Sequence, residues 1–249
     1  MTPGEATMRA AAAYERGLKP VTHLIDVADE QTAMRLRAAA DPAGKDRLAA
    51  GSLDDHATDR ADAVFARTVL LAERRWNPSG DLDELTAIHK GLFEGVFEDA
   101  GKLRTSNTTR EVTNDRARAA NPEAFFPAGL IETGAHNIAM ELADKRNLHA
   151  LDRDVFVHAF ASIYDELGYL HPFRGGNAMV LRIFGSRLAH DAGWDLDWGS
   201  VTREEYRSAK HSAYRGDTSA LVTMFDAILR PANPTRVFLI AGWNQGPAH

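Results

Sequence analysis

Two stretches of helical periodicity are separated by a short run that can continue neither helix, and this break constrains the fold more than any other feature of the chain. In residues 152–170 the apolar side chains Phe156, Phe160, Ile163, Leu167 and Leu170 recur three or four positions apart and line one helix face. Leu181, Phe184, Gly185 and Leu188 repeat the pattern, and Gly193 suits the C-terminal cap of that second helix. Between them, Pro172 has no backbone N–H and disfavours helix at His171, so the first helix must stop there. Gly175 and Gly176 permit positive φ, and Asn177 is suited to cap the helix that follows. The chain therefore places a histidine at one helix exit, facing the N-terminus of another helix.

A helix N-terminus presents unpaired N–H groups and the positive pole of the helix dipole, which together favour phosphate oxygens. Arg182 lies four residues after Ala178 and shares its helix face, and long helical side chains lean back toward the N-terminus. Its guanidinium is expected to reach the same anion. A histidine on one side and an arginine-assisted anion site on the other suit the transfer of a phosphate-linked group to an acceptor hydroxyl.

The rest of the chain reads as helical. Residues 61–76 and 81–97 form two helices separated by the turn cluster Asn77, Pro78, Ser79 and Gly80. Residues 128–146 form another, with Ile131, Ile138 and Leu142 on one side, and residues 202–214 and 218–229 pair around Gly216 and Asp217. The fold class is all-α. One region departs from this habit: residues 102–112 are rich in threonine and alternate loosely, which predicts a small β-hairpin flap, followed by a polar linker at 114–123. Alanine-rich sequence interrupted at Pro20, Pro42 and Gly44 precedes Gly51 and Ser52, where the compact core is expected to begin. The expected division is a helical extension at 1–55, one main domain at 56–230 and a tail at 231–249.

With 249 residues and 44% hydrophobic content the chain can bury a full core. A net charge of −6 gives no general attraction to nucleic acid or an anionic membrane. The chain has no cysteine, which excludes disulfides, thiolate metal sites and a cysteine nucleophile. The alanine run at 10–13 is flanked by Arg9, Glu15 and Arg16, unlike a secretory signal, and no apolar stretch approaches the roughly twenty residues of a membrane span. A cytoplasmic protein is expected, with a signal-less export route left open.

The run from His171 resembles the active-site loop of the Fic family, whose form is close to His-Pro-Phe-x-(Asp/Glu)-Gly-Asn-(Gly/Lys)-x-x-Arg. His171, Pro172, Phe173, Gly176, Asn177 and Arg182 match. Upstream, Gly101, Lys102, Leu103, Arg104 and Thr105 resemble the start of the family's target-docking flap, and Phe126, Pro127 and Ile131 resemble the helix start after it. Downstream, Tyr206, Ala209, Gly216, Asp217, Leu221 and Phe225 resemble its closing helices, so the resemblance covers roughly residues 60–230.

The resemblance implies a helical Fic bundle that takes ATP as donor, with Mg²⁺, and attaches AMP or a related group to a Ser, Thr or Tyr hydroxyl of a target protein. It implies His171 as general base, Asn177 as orienter of the α-phosphate, and the amides of Gly176 and Asn177 as phosphate donors, with Gly175 and Ala178 beside them. Arg182 would grip the β- and γ-phosphates. The flap, with Leu103, Arg104, Thr105 and Ser106, would hold the target by main-chain pairing. Three positions depart from the pattern: Gly175 replaces the acidic Mg²⁺ ligand, Ala178 a usual glycine, and Met179 a common cation. Two readings stay open, a transferase of impaired activity and an inactive nucleotide- or protein-binding module. The family's inhibitory pattern, (Ser/Thr)-x-x-x-Glu-(Gly/Asn), has its nearest match at 162–167, which ends in Leu167 inside the helix leading to His171; either a separate antitoxin-like protein supplies the restraint, or a weakened loop needs none.

Other candidates carry less. The remaining nine of ten histidines lack metal-ligand spacing, so no side-chain metal site is expected. Gly185, Ser186 and Arg187 do not complete a nucleophile elbow. The charged stretch at 54–62 reads as a solvated helix start, and Trp194 and Trp198 as packing residues of a turn between helices, with the adenine pocket as the rival place for one of them.

Overall fold

A computed structural model describes Val64, Arg67, Leu71, residues 79–109 and residues 124–232. The expected extension at 1–55, most of the helix at 61–76, the linker at 114–123 and the tail beyond 232 lie outside the described residues. Val64, Arg67 and Leu71 are each helical.

Helix α1 (Leu82–Phe93) starts where the Asp81 carboxylate accepts a hydrogen bond from the Glu84 amide, and it buries Leu85, Ile88, His89, Leu92 and Phe93. It ends short of the expected residue 97, because Gly95 turns the chain at φ +74°. Helix α2 (Ile131–Asp144) follows a short 3₁₀ turn at Ala128–Leu130. Helix α3 (Arg153–Leu170) buries the predicted stripe Phe156, Phe160, Ile163, Leu167 and Leu170. Helix α5 (Arg203–Tyr214) begins with a complete capping box between Thr202 and Glu205, and helix α6 (Ser219–Ile228) packs against it.

Helix α4 (Asn177–Asp191) lies at the centre, touching α1 and α3. The sequence pattern gave it one apolar face, yet residues 177–185 are buried on every side. A helix enclosed all round belongs to the core, and its two arginines need internal partners. Arg187 finds them at the far end of α1: its Nη1 lies 3.4 Å from Glu84 Oε1, and its Nε and Nη2 donate to the Leu71 carbonyl at 3.1 and 2.7 Å. The second oxygen of Glu84 accepts from the Ser79 and Gly80 amides at 3.2 and 3.1 Å. Burial still pushes the Glu84 carboxyl above its ordinary range, with the Gly80 amide, Arg187 and the Ser79 amide pulling against it.

The β structure differs from expectation. Among the described residues the two-stranded sheet pairs β1 (Trp194–Leu196) with β2 (Leu229–Pro231), antiparallel, with Asp195 opposite Arg230. It joins the exit of α4 to the end of α6, where the sequence predicted a turn. In the flap no strand forms at 102–109; one antiparallel bridge, Thr109 to Ala124, stands where the hairpin was expected. The Phe125 amide also donates to the Thr108 carbonyl at 3.0 Å, so the base of the flap pairs with the returning chain. The Arg104 amide donates to the Pro172 carbonyl at 2.9 Å and ties the flap to the 171–176 loop. The rest of the expected hairpin lies outside the described residues.

Replacing Arg187 with Ala leaves Glu84 buried without its counter-charge and should lower unfolding free energy by about 3 kcal/mol. The double variant Glu84→Gln/Arg187→Met should lose less, as urea midpoints of the three proteins would show. Equal losses would mean that the ion pair stabilises nothing beyond the packing of its carbons.

Candidate functional site

Helix α3 stops at Leu170, and His171 caps it in the left-handed region at φ +45°. That conformation costs a non-glycine residue roughly 1–2 kcal/mol. Arg104 compensates. Its Nε donates to the His171 carbonyl at 2.7 Å, Nη1 to Ser106 at 3.0 Å, and Nη2 to the carbonyls of Phe126 and, at 3.3 Å, Leu170. Hydrogen bonds from a charged donor contribute about 1.5–3 kcal/mol each, enough to hold the turn. Burial lowers the Arg104 pKa from its ordinary value. Arg104, part of the stretch expected to hold a target through its main chain, turns its side chain inward and clasps four carbonyls. Thr105 and Ser106 remain exposed, and Leu103 is half-buried.

The His171 ring lies flat against Phe125, with centroids 3.9 Å apart and planes 12° apart. Phe125 meets Tyr214 edge-on, and Tyr214 meets Tyr169, so an aromatic row flanks the histidine. Beyond Pro172, Phe173 is fully buried and Arg174 is exposed, its guanidinium 3.7 Å from the Asp99 carboxylate.

Asn177 does not cap α4 as expected. Gly176 is the cap, at φ +79°, and Asn177 is the first helical residue. The Asn177 side chain closes the loop on itself, with Nδ2 donating to the Phe173 carbonyl at 2.7 Å and Oδ1 accepting from the Phe173 amide at 3.0 Å. Of the two adjacent glycines, Gly176 alone has positive φ. A Cβ there would stand 2.3 Å from the Phe93 ring, so Gly176 is required twice over. The capping residue is a glycine and so brings no side chain of its own to this helix start, where an anion would be met by backbone amides. Pro172, Phe173 and Asn177 also line a small cleft together with Lys210.

Ala178 and Met179 are buried, so the position at which the resembled loop carries a cation serves packing here. Arg182 sits within an aromatic cluster. Its side chain is 0% exposed, with the guanidinium carbon 4.0 Å above the Tyr206 ring and 5.5 Å from Trp198. The cause is an aromatic cluster whose negative faces suit a desolvated cation. Tyr164 joins it, its hydroxyl 2.8 Å from that of Tyr206, and burial together with Tyr206 raises the Tyr164 pKa well above the usual value. Trp198 thus packs around an arginine rather than lining a pocket.

Sequence reasoning missed His89. It is buried on α1, accepts from the Gly101 amide through Nδ1 at 2.8 Å, and lies 3.1 Å from the Gly175 carbonyl through Nε2. Its ring stacks on Phe173 at 4.0 Å. The available signal was a histidine on the apolar face of α1, four residues after Leu85 and four before Phe93.

Comparison with known proteins gives the same family at several levels. The signature of the Fic/DOC family matches residues 79–189. The protein adenylyltransferase VbhT of Bartonella schoenbuchensis is 34% identical over 173 residues, 69% of this chain and 34% of VbhT, so the chain spans about a third of that relative. A probable protein adenylyltransferase Fic of Salmonella typhimurium is 32% identical over 154 residues, 62% of this chain and 72% of the relative. Among solved structures, the N-terminal Fic domain of a Bartonella effector protein from Bartonella sp. AR 15-3 superposes with a TM-score of 0.62 at 26% identity, covering 72% of this chain and 83% of that one.

Gly176→Ala forces a methyl group into Phe93 at a left-handed backbone position and should cost about 3 kcal/mol of stability. Thermal unfolding measures it; an unchanged melting temperature would show that the loop can relocate without penalty.

Proposed function

The chain belongs to the Fic/DOC family, and from that premise we propose that it transfers AMP from ATP to a Ser, Thr or Tyr hydroxyl of a target protein. The observation that carries this reading is the juxtaposition of His171, held at the α3 exit, with the N-terminus of α4, whose capping residue is Gly176. Relatives named as protein adenylyltransferases support the choice of transferred group.

In this reading the target hydroxyl oxygen attacks the α-phosphorus of ATP, and His171 takes the hydroxyl proton. The bond from the α-phosphorus to the oxygen bridging the β-phosphate breaks, and pyrophosphate leaves with the electron pair. The amides from Gly175 to Ala178 stabilise charge on the phosphate oxygens. Asn177 keeps those amides in register by clasping Phe173. The Arg182 backbone lies roughly 7.5 Å along the helix axis from Asn177, and its side chain, lodged on Tyr206, adds positive charge from inside the core. The exposed flap residues Thr105 and Ser106 offer backbone to an extended target segment, with Arg104 as their anchor.

The loop does not fit a magnesium ion held by the protein. Position 175 offers no carboxylate, its carbonyl lies against His89, and among the described residues no three His, Cys, Asp or Glu side chains gather closely enough to hold a metal ion. This favours weak turnover over the rate expected of an acidic loop, and it is the observation behind a second reading, in which the domain binds a phosphate ligand without transfer. Restraint by a partner inhibitor is part of the first reading, because residues 162–167 lie within α3 with Ile163 and Leu167 buried and cannot act as an inhibitory segment. Cytoplasmic action on the target completes it; among the described residues no helix is long and apolar enough to cross a membrane.

Incubation with α-labelled ATP and a cell lysate should label proteins, and His171→Ala should reduce labelling roughly 100-fold or more. Gly175→Glu should increase it in the presence of Mg²⁺, because it restores a carboxylate at a position whose φ lies outside the left-handed region. Labelling of neither protein would select the binding-only reading. Labelling that persists in His171→Ala would remove His171 from the chemistry.

A further inference from the structure

His89 touches the loop at points that together define the direction of one peptide group. Its Nδ1 accepts the Gly101 amide, so this nitrogen carries no proton and the neutral ring holds its proton on Nε2. Nε2 therefore donates to the Gly175 carbonyl at 3.1 Å. The ring is fixed in turn by stacking on Phe173, with planes 16° apart, and by Phe93 one turn along α1. Because a trans peptide is planar and its C=O and N–H point in opposite directions, a carbonyl tied to His89 aims the Gly176 N–H away from α1. On the other side of the same residue, Phe93 packs where a Gly176 Cβ would be, which blocks a rotation that would bring the amide back.

We propose that His89 is a positioning residue: in its neutral Nε2-protonated form it sets the orientation of the Gly175–Gly176 peptide and so aims the first amide of the phosphate site. The inference rests on the nucleotide-binding reading above and deepens it. It also explains why the flap and the loop are joined here, since the Gly101 amide that fixes the tautomer belongs to the start of the flap. Protonation of the ring, or its replacement by an apolar side chain, removes one of the two bonds or both and lets the peptide turn. Glutamine keeps an N–H near the Nε2 position and can still donate to Gly175.

The test uses the full chain and three readouts. Long-range proton–nitrogen spectra of the wild type should show the His89 ring neutral and protonated on Nε2; a ring protonated on Nδ1 overturns the proposal without any variant. The Gly176 amide cross-peak should shift in His89→Leu and stay close to the wild-type position in His89→Gln. Calorimetric titration with ATP should show affinity lowered about tenfold in His89→Leu and largely restored in His89→Gln, beyond what any shared fall in melting temperature explains. Equal cross-peaks and affinities in all three proteins would overturn it, as would equal losses in both variants, which indicate packing alone. Absence of ATP binding by the wild type would count against the proposed function, while the tautomer and the Gly176 cross-peak would still decide the role of His89.

Discussion

The left-handed turn at His171 is held by the guanidinium of Arg104, and most of the site hangs from that clasp. Four carbonyls converge on one buried cation, drawn from the end of α3, the turn itself, the flap and the segment leading to α2. Remove it and those oxygens, some in places water does not reach, would lack a donor. The turn would then have no reason to keep its costly φ, and the histidine ring would lose its seat on Phe125. The clasp also anchors the flap: the Arg104 amide is tied to Pro172, and Thr105 and Ser106 beside it are exposed.

Much of the helical framework was legible because burial imposes a repeat. The stripes on 152–170, 202–214 and 218–229 reappear as α3, α5 and α6 with ends shifted by a residue. The proline after His171 and the glycine at 176 act locally and could be read locally. The short sheet could not be read. A strand of three residues is too brief to show alternation, and its partner contains a proline. The side-chain partners of the site were hidden for a different reason. Periodicity states which face of α4 carries Arg182, but Tyr206 and Trp198 arrive from another part of the chain. His89 and Arg104 were visible as residues and silent as partners, because a buried polar group is identified by what surrounds it.

Burial of α4 on all sides has a bearing on catalysis. An anion site formed by backbone amides works only if the amides are already aimed when the ligand arrives, since reorientation during reaction would consume the gain. Here the helix start is fixed by Phe93 beneath Gly176, by the Asn177 clasp above Phe173, and by His89 at the side. Rigidity at this point comes from the core itself.

The aromatic cluster that shelters Arg182 has a dynamic consequence. Tyr206 and Trp198 both lie between β1 and β2, in a segment closed at its base by two strands of three residues each. Proteins open in cooperative units whose stability differs from that of the whole, and short sheets open easily. Phe225, edge-on against Phe160 and Tyr164 of α3, helps keep this unit shut, together with the Tyr206–Tyr164 hydroxyl pair, the Trp198 bond to Ser186 of α4 and the Arg153 grip on Asp226 and Leu229. Access to the Arg182 guanidinium thereby follows the local opening free energy of residues 194–231.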